Sequence, residues 1–250
     1  LVIKEKISQG ESMLKKIWFT CGATLLIAGL LTACGSEQKE ISTETAATPA
    51  KTETVQQADE KLKSIDPGKI EKGTYSNDYF GVSLSYPEEW HVLDTEALNE
   101  MAEVGSDTIQ TESALEKKSL EWAQKRVLNL FGASKLPLSE STPNASVMVV
   151  AEKILKLQNI NSGAEYLEAS KKILIKSELP YEFEPITAVT VGGRTFDVMK
   201  ASIDYGGNEM ITQFYYSILL DNYTFNIITT SYDEESQAVV QKIIDSVTFK

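Results

Sequence analysis

Glu209-Met210-Ile211-Thr212-Gln213-Phe214-Tyr215-Tyr216-Ser217-Ile218-Leu219-Leu220 is rich in β-branched and aromatic residues and holds no glycine or proline. That composition reads as a strand. Successive strand side chains point to opposite faces. Phe214, Tyr216, Ile218 and Leu220 therefore share one face, and Ile211, Tyr215 and Leu219 the other. Both faces are largely apolar, so both need cover. The flanking runs, Arg194 to Tyr205 and Tyr223 to Tyr232, have the same character. Gly206-Gly207 and Asp221-Asn222 separate them, as tight hairpin turns require. The result is a meander of three antiparallel strands. Further out, Ile186 to Val191 and Ser146 to Leu155 read as strands, and Val82, Leu84 and Tyr86 alternate in an early one.

Four amphipathic helices are expected to cover the sheet. The spacing predicts a short one from Thr95 to Val104. A second runs from Ser113 to Phe131, with Leu120, Ala123, Val127 and Leu130 on one side. A third follows Ser162-Gly163-Ala164-Glu165, which has the capping-box pattern, and presents Tyr166, Leu167, Ser170, Ile173 and Leu174. A fourth follows Ser231-Tyr232-Asp233-Glu234 and presents Val240, Ile243, Ile244 and Val247. The fold class is α+β: an antiparallel β-sheet flanked by helices in three layers.

Tyr79-Phe80-Gly81-Val82-Ser83-Leu84-Ser85-Tyr86-Pro87-Glu88-Glu89-Trp90 resembles the opening of PsbP-like domains, an aromatic-Gly turn and a strand ending in Tyr-Pro before a Trp. Lys242-Ile243-Ile244-Asp245-Ser246-Val247-Thr248-Phe249 resembles their ending. The resemblance implies a PsbP-like α-β-α sandwich, in a family whose members are mostly non-catalytic and include extrinsic photosystem II subunits, a Ran-binding transport factor and bacterial lipoproteins. The stretch from Thr95 to Pro143 is longer than in small members. Read from the residues alone, Pro87 stops its strand because it lacks a donor, and Tyr86, Pro87 and Trp90 are core and turn residues. A lipid-facing Trp90 is the sharper alternative.

The N-terminal third has another character. Lys15 and Lys16 precede an apolar run from Ile17 to Leu31, and Leu31-Thr32-Ala33-Cys34 closes it. A positive start, an apolar core and small residues before a cut site are the layout of an export signal. The run is short for a span of about 20 apolar residues. The tetrapeptide resembles the lipobox of bacterial lipoproteins. That resemblance implies cleavage between Ala33 and Cys34 and a diacylglycerol thioether on Cys34, with acyl chains of the palmitate type. Two acyl chains anchor stably where one binds marginally, at about 0.8 kcal/mol per buried CH₂. Residues 1–12 fit such a signal poorly. Met13-Leu14-Lys15-Lys16 makes a better start, and Gly10-Glu11 can be encoded by a purine-rich ribosome-binding site. The expectation is therefore residues 1–33 as signal (true start at Met13), 34–73 as lipidated N-terminus and tether, and 74–250 as the domain.

Gly35 to Lys72 is polar and small-residue-rich, so it buries too little to offset the entropy of ordering. As a flexible tether it spans about 35 Å on average. The chain carries 24 basic and 36 acidic residues; positions 1–33 hold four and two of them, so the remainder has a net charge of −14. Such a surface repels nucleic acid. Cys21 and Cys34 are the only cysteines, so the domain needs a packed core rather than disulfides.

Chemistry-bearing motifs are sparse. His91 is the single histidine, and a metal site needs several convergent ligands. Gly192-Gly193 and Gly206-Gly207 suit hairpin turns. Glu88-Glu89 and Asp233-Glu234-Glu235 are acid pairs that could serve acid–base chemistry or bind calcium, but lack calcium-loop spacing, and acids at a helix start suit the helix dipole. No catalytic residue, cofactor or metal ligand is expected. The reading is a membrane-anchored extracytoplasmic lipoprotein, held by lipid on Cys34, whose domain binds a protein partner or assists an envelope complex. The tether composition leans toward a Gram-positive surface. A small-ligand receptor, or an enzyme using dispersed carboxylates, is the alternative, and an enclosed pocket would favour either.

Overall fold

The computed structural model describes residues 65–250 apart from positions 108, 110, 112, 138–141, 178 and 205–209. The signal, Cys34, the tether up to residue 64 and the Gly206-Gly207 turn lie outside the described residues. The chain runs β1 (Lys69–Glu71), β2 (Thr74–Asn77), β3 (Val82–Ser85), β4 (His91–Leu93), α1 (Thr95–Asp107), α2 (Ala114–Gln124), β5 (Val127–Ser134), β6 (Ser146–Lys153) and a 3₁₀ turn (Lys156–Gln158). It continues through α3 (Gly163–Lys176), β7 (Tyr181–Phe183), β8 (Thr187–Val191), β9 (Arg194–Asp204), β10 (Met210–Leu220), β11 (Tyr223–Ser231), α4 (Glu234–Asp245) and β12 (Thr248–Phe249).

The meander read from the sequence is the centre of the molecule. β10 pairs antiparallel with β9 on one side and β11 on the other. Leu220 faces Tyr223 across Asp221-Asn222, with Asp221 at φ 52°. Val191 faces Arg194 across Gly192-Gly193, whose φ values of 57° and 79° suit glycine in a two-residue hairpin. An eight-stranded sheet results, ordered β4-β5-β6-β11-β10-β9-β7, with β8 also on β9. A second sheet, β1-β2-β3-β12, has four strands.

Alternation divides the core as the residues dictate. Val147, Val149, Phe196, Tyr216, Phe225 and Ile227 face the small sheet and α4, meeting Tyr75, Val82, Leu84, Val240, Ile243 and Ile244. Met148, Val150, Met199, Ala201, Tyr215 and Ile228 face the other way, onto Leu98 and Met101 of α1 and Tyr166, Leu167 and Leu174 of α3. Each large side chain so buried contributes about 1.5–3 kcal/mol. The α+β class and the flanking helices are as expected. The four-stranded sheet is an addition: it shares with α4 the cover of one face, where periodicity predicts helices alone.

The helix predicted from Ser113 to Phe131 is corrected. α2 ends at Gln124, and Val127–Ser134 is β5, paired with β4 and β6. The register shifts between Asn129 and Phe131, and this bulge lets Leu130 and Phe131 enter the same cluster. A bulge breaks the two-residue period, which leaves a spacing that imitates a helix. The start of α4 is also corrected. Ser231 is still paired in β11, and Asp233 is the cap, accepting from Ser236 N–H at 2.7 Å while Ser236 Oγ accepts from Asp233 N–H at 3.0 Å. At α3 the expected cap is observed: Ser162 Oγ accepts from Glu165 N–H. Glu165 Oε2 accepts from the amide of Asn161 rather than of Ser162.

Candidate functional site

Cys34 and Ala33 lie outside the described residues. Tyr86, Pro87 and Trp90 are placed as core and turn: β3 ends at Ser85, Pro87 carbonyl accepts from Trp90 N–H at 3.0 Å, and Trp90 is 6% exposed. Burial removes the lipid-facing alternative for that side chain. His91 is exposed on edge strand β4 opposite Ser134. The acids at Asp233, Glu234 and Glu235 start α4; the two hydrogen bonds from Ser236 hold the Asp233 carboxyl below its usual range. Among the described residues no three His, Cys, Asp or Glu side chains converge as a metal set, and no helix is long and apolar enough to cross a membrane.

The sequence reading did not single out Glu152, at the end of β6 on the α3 side of the sheet. It is fully buried. Tyr166 Oη of α3 donates to Glu152 Oε2 at 2.9 Å, and Arg126 Nη2, from the turn before β5, stands 3.4 Å from Oε1. Burial pushes the Glu152 carboxyl up to about 7, against the opposing pull of Arg126 and Tyr166. The same burial, with Glu152 alongside, drives the Tyr166 hydroxyl well above its ordinary value. This group ties three elements together, with Glu152 and Tyr166 fully buried at its centre.

A surface site forms at the other side of the sheet. The segment between β2 and β3 is pinned from two directions. Asn77, itself 1% exposed, accepts from Phe80 N–H at 3.1 Å and donates to the Asp66 carbonyl at 3.0 Å. Gly81 carbonyl accepts from Lys250 N–H at 2.8 Å. The loop thus holds Tyr79 out at 55% exposure, with its ring edge-on to Phe80 and Tyr223. Burial, with Tyr79 adjacent, pushes the Tyr223 hydroxyl up to about 12. Arg194 opens β9 with its guanidinium 4.7 Å from the centre of the Phe249 ring, a cation–π seat. Asp221 turns the β10–β11 hairpin, and Lys250 Nζ lies 3.1 Å from Asp78. Asp78, Tyr79, Phe80, Arg194, Asp221 and Lys250 line a cleft of about 590 Å³. A second cleft of about 420 Å³ runs between β8 and α4 over Val198, Phe214 and Tyr216.

Turn residues and Lys250 supply the first cleft, and the sequence marked the turns at Tyr79-Phe80-Gly81 and Asp221-Asn222 but not their convergence. Tyr79 was visible as part of an aromatic-Gly turn, but its exposure depends on Asn77 and the chain end.

No protein-family model matches the chain, and no curated protein does. Solved structures give distant likenesses. LpqN of Mycobacterium tuberculosis, involved in cell envelope biogenesis, is 16% identical with a TM-score of 0.40, over 74% of this chain and 86% of its own. A protein of Bacteroides thetaiotaomicron is 13% identical with a TM-score of 0.35, over 72% of this chain and 49% of its own. Cyanobacterial PsbP (CyanoP) of Synechocystis sp. PCC 6803 is 12% identical with a TM-score of 0.42, over 73% of this chain and 96% of its own. Identities and scores of this size carry neither ligand nor partner to this chain.

Proposed function

We propose that the protein is a lipid-anchored extracytoplasmic lipoprotein whose domain is a non-catalytic binding or accessory module. The observation that carries the anchoring is Leu31-Thr32-Ala33-Cys34 at the end of an apolar run that follows Lys15 and Lys16. The placement of the ionisable groups supports the non-catalytic part. Glu152 is sealed between the sheet and α3, His91 sits on an exposed edge, and Asp233 is engaged as a helix cap. An open cleft rimmed by Tyr79, Arg194 and Asp221 supports binding at the surface.

Metabolic labelling with an alkyne fatty acid tests the anchor. Wild type is expected to label and sediment with membranes. Cys34→Ala is expected to lose the label and leave the membrane fraction. A Cys34→Ala chain that labels as strongly as wild type refutes the proposal.

A further inference from the structure

We infer that the cleft beside Tyr79 is a binding site for a neutral saccharide. The inference rests on the binding-module reading above and names its ligand class. Three features carry it. First, the cleft combines an outward aromatic ring, Tyr79 at 55% exposure, with side chains that donate and accept. Arg194 and Lys250 are donors, and Asp78 and Asp221 are acceptors. A sugar offers the matching surface: an apolar C–H face for the ring and hydroxyls that both donate and accept at its edge.

Second, the rim is balanced in charge although the chain is acidic, with a net charge of −12. Two bases face two acids, and one of each is already engaged across 3.1 Å, between Lys250 and Asp78. Arg194 is seated over Phe249. A balanced rim selects neither an anion nor a cation and leaves hydrogen bonding as the selector. At about 590 Å³, the cleft is of ligand size.

Third, the loop that carries Tyr79 is held in place before any ligand arrives. Asn77 fixes the loop to the Phe80 amide and to the Asp66 carbonyl, and the backbone of Lys250 closes it at Gly81. Preorganisation of this kind lowers the ordering cost of binding. Asp66 lies just before β1, inside the stretch expected as tether, so Asn77 fastens the cleft loop to the chain that enters the small sheet.

Isothermal titration tests this on the full protein purified from membranes in a detergent without a sugar headgroup. The probes are tetra-N-acetylchitotetraose and maltotetraose. Saturable binding of at least one is expected. Tyr79→Ala and Asp221→Asn are each expected to weaken it about tenfold or more, while Tyr79→Phe keeps the ring and most of the affinity. Asp221→Asn guards against a folding artefact, because asparagine tolerates the left-handed turn position. Absence of saturable binding by both probes overturns the inference. So does binding that is indifferent to Tyr79→Ala and Asp221→Asn, or capture by phosphatidylglycerol vesicles that Arg194→Gln abolishes. Intact acyl labelling alongside failed saccharide binding refutes the ligand class alone. Saccharide binding without acyl labelling refutes the anchor alone.

Discussion

Glu152 is the residue at which folding and ionisation meet. Its carboxyl is raised to about 7 from an ordinary 4.5 because burial outweighs the attraction of Arg126. The unfolded chain ionises it near 4.5, while the folded chain holds the proton until about pH 7. Stability from this group is therefore full below about pH 4.5 and lost as pH rises to about 7, a swing of about 3 kcal/mol at most. Glu152→Gln keeps the shape and an acceptor for Tyr166 but cannot ionise. Thermal melts of both proteins from pH 5 to pH 8 are expected to show a wild-type midpoint that falls relative to the variant as pH rises. A difference between the two that stays constant with pH contradicts the assignment. The residue was not legible beforehand for a physical reason. Ser146 to Leu155 reads as a strand whichever way its end is covered, and it is the docking of Tyr166 and Arg126 that turns Glu152 from a strand-end surface acid into an enclosed one. Trp90 and Pro87 were legible, because a proline after a strand and a large aromatic beside it have few other places to go.

At the scale of elements, α3 shows how tightly a helix start can be seated. A Cβ on Gly163 would collide with the Ser217 carbonyl oxygen, which belongs to the β10 backbone and cannot yield. The Asp197 carboxylate of β9 accepts from Ala164 N–H at 2.8 Å, completing a cap that Ser162 begins. Gly163→Ala is expected to cost about 1–2 kcal/mol despite the helix preference of alanine, lowering the midpoint by several degrees. An unchanged or raised midpoint contradicts close seating. The Ser162 cap was readable from sequence because it is local. The contributions of Asp197 and Ser217 were not, since they come from strands 34 to 54 positions later. β5 failed for a related reason: its pairing with β6 is not local, and its Val127 and Leu130 continue at helical spacing the Leu120 and Ala123 of α2.

Across the whole molecule, a two-sided sheet is enclosed by α1 and α3 on one face and by a small sheet with α4 on the other. The demand for cover on both faces followed from the alternation in β10. The identity of one cover did not, because β1, β2 and β12 are only two to four residues long and carry too few alternations to show a period. Chain-end and hairpin residues then make the Tyr79 cleft, which exists only when both are assembled. The proposed link between this domain and the membrane is the single cysteine Cys34, and intact mass spectrometry of protein taken from the membrane fraction tests it most directly. The predicted result is a chain that begins at Cys34 and carries the added mass of a diacylglycerol. A chain that retains residues before Cys34, or that begins there with an unmodified cysteine, contradicts it.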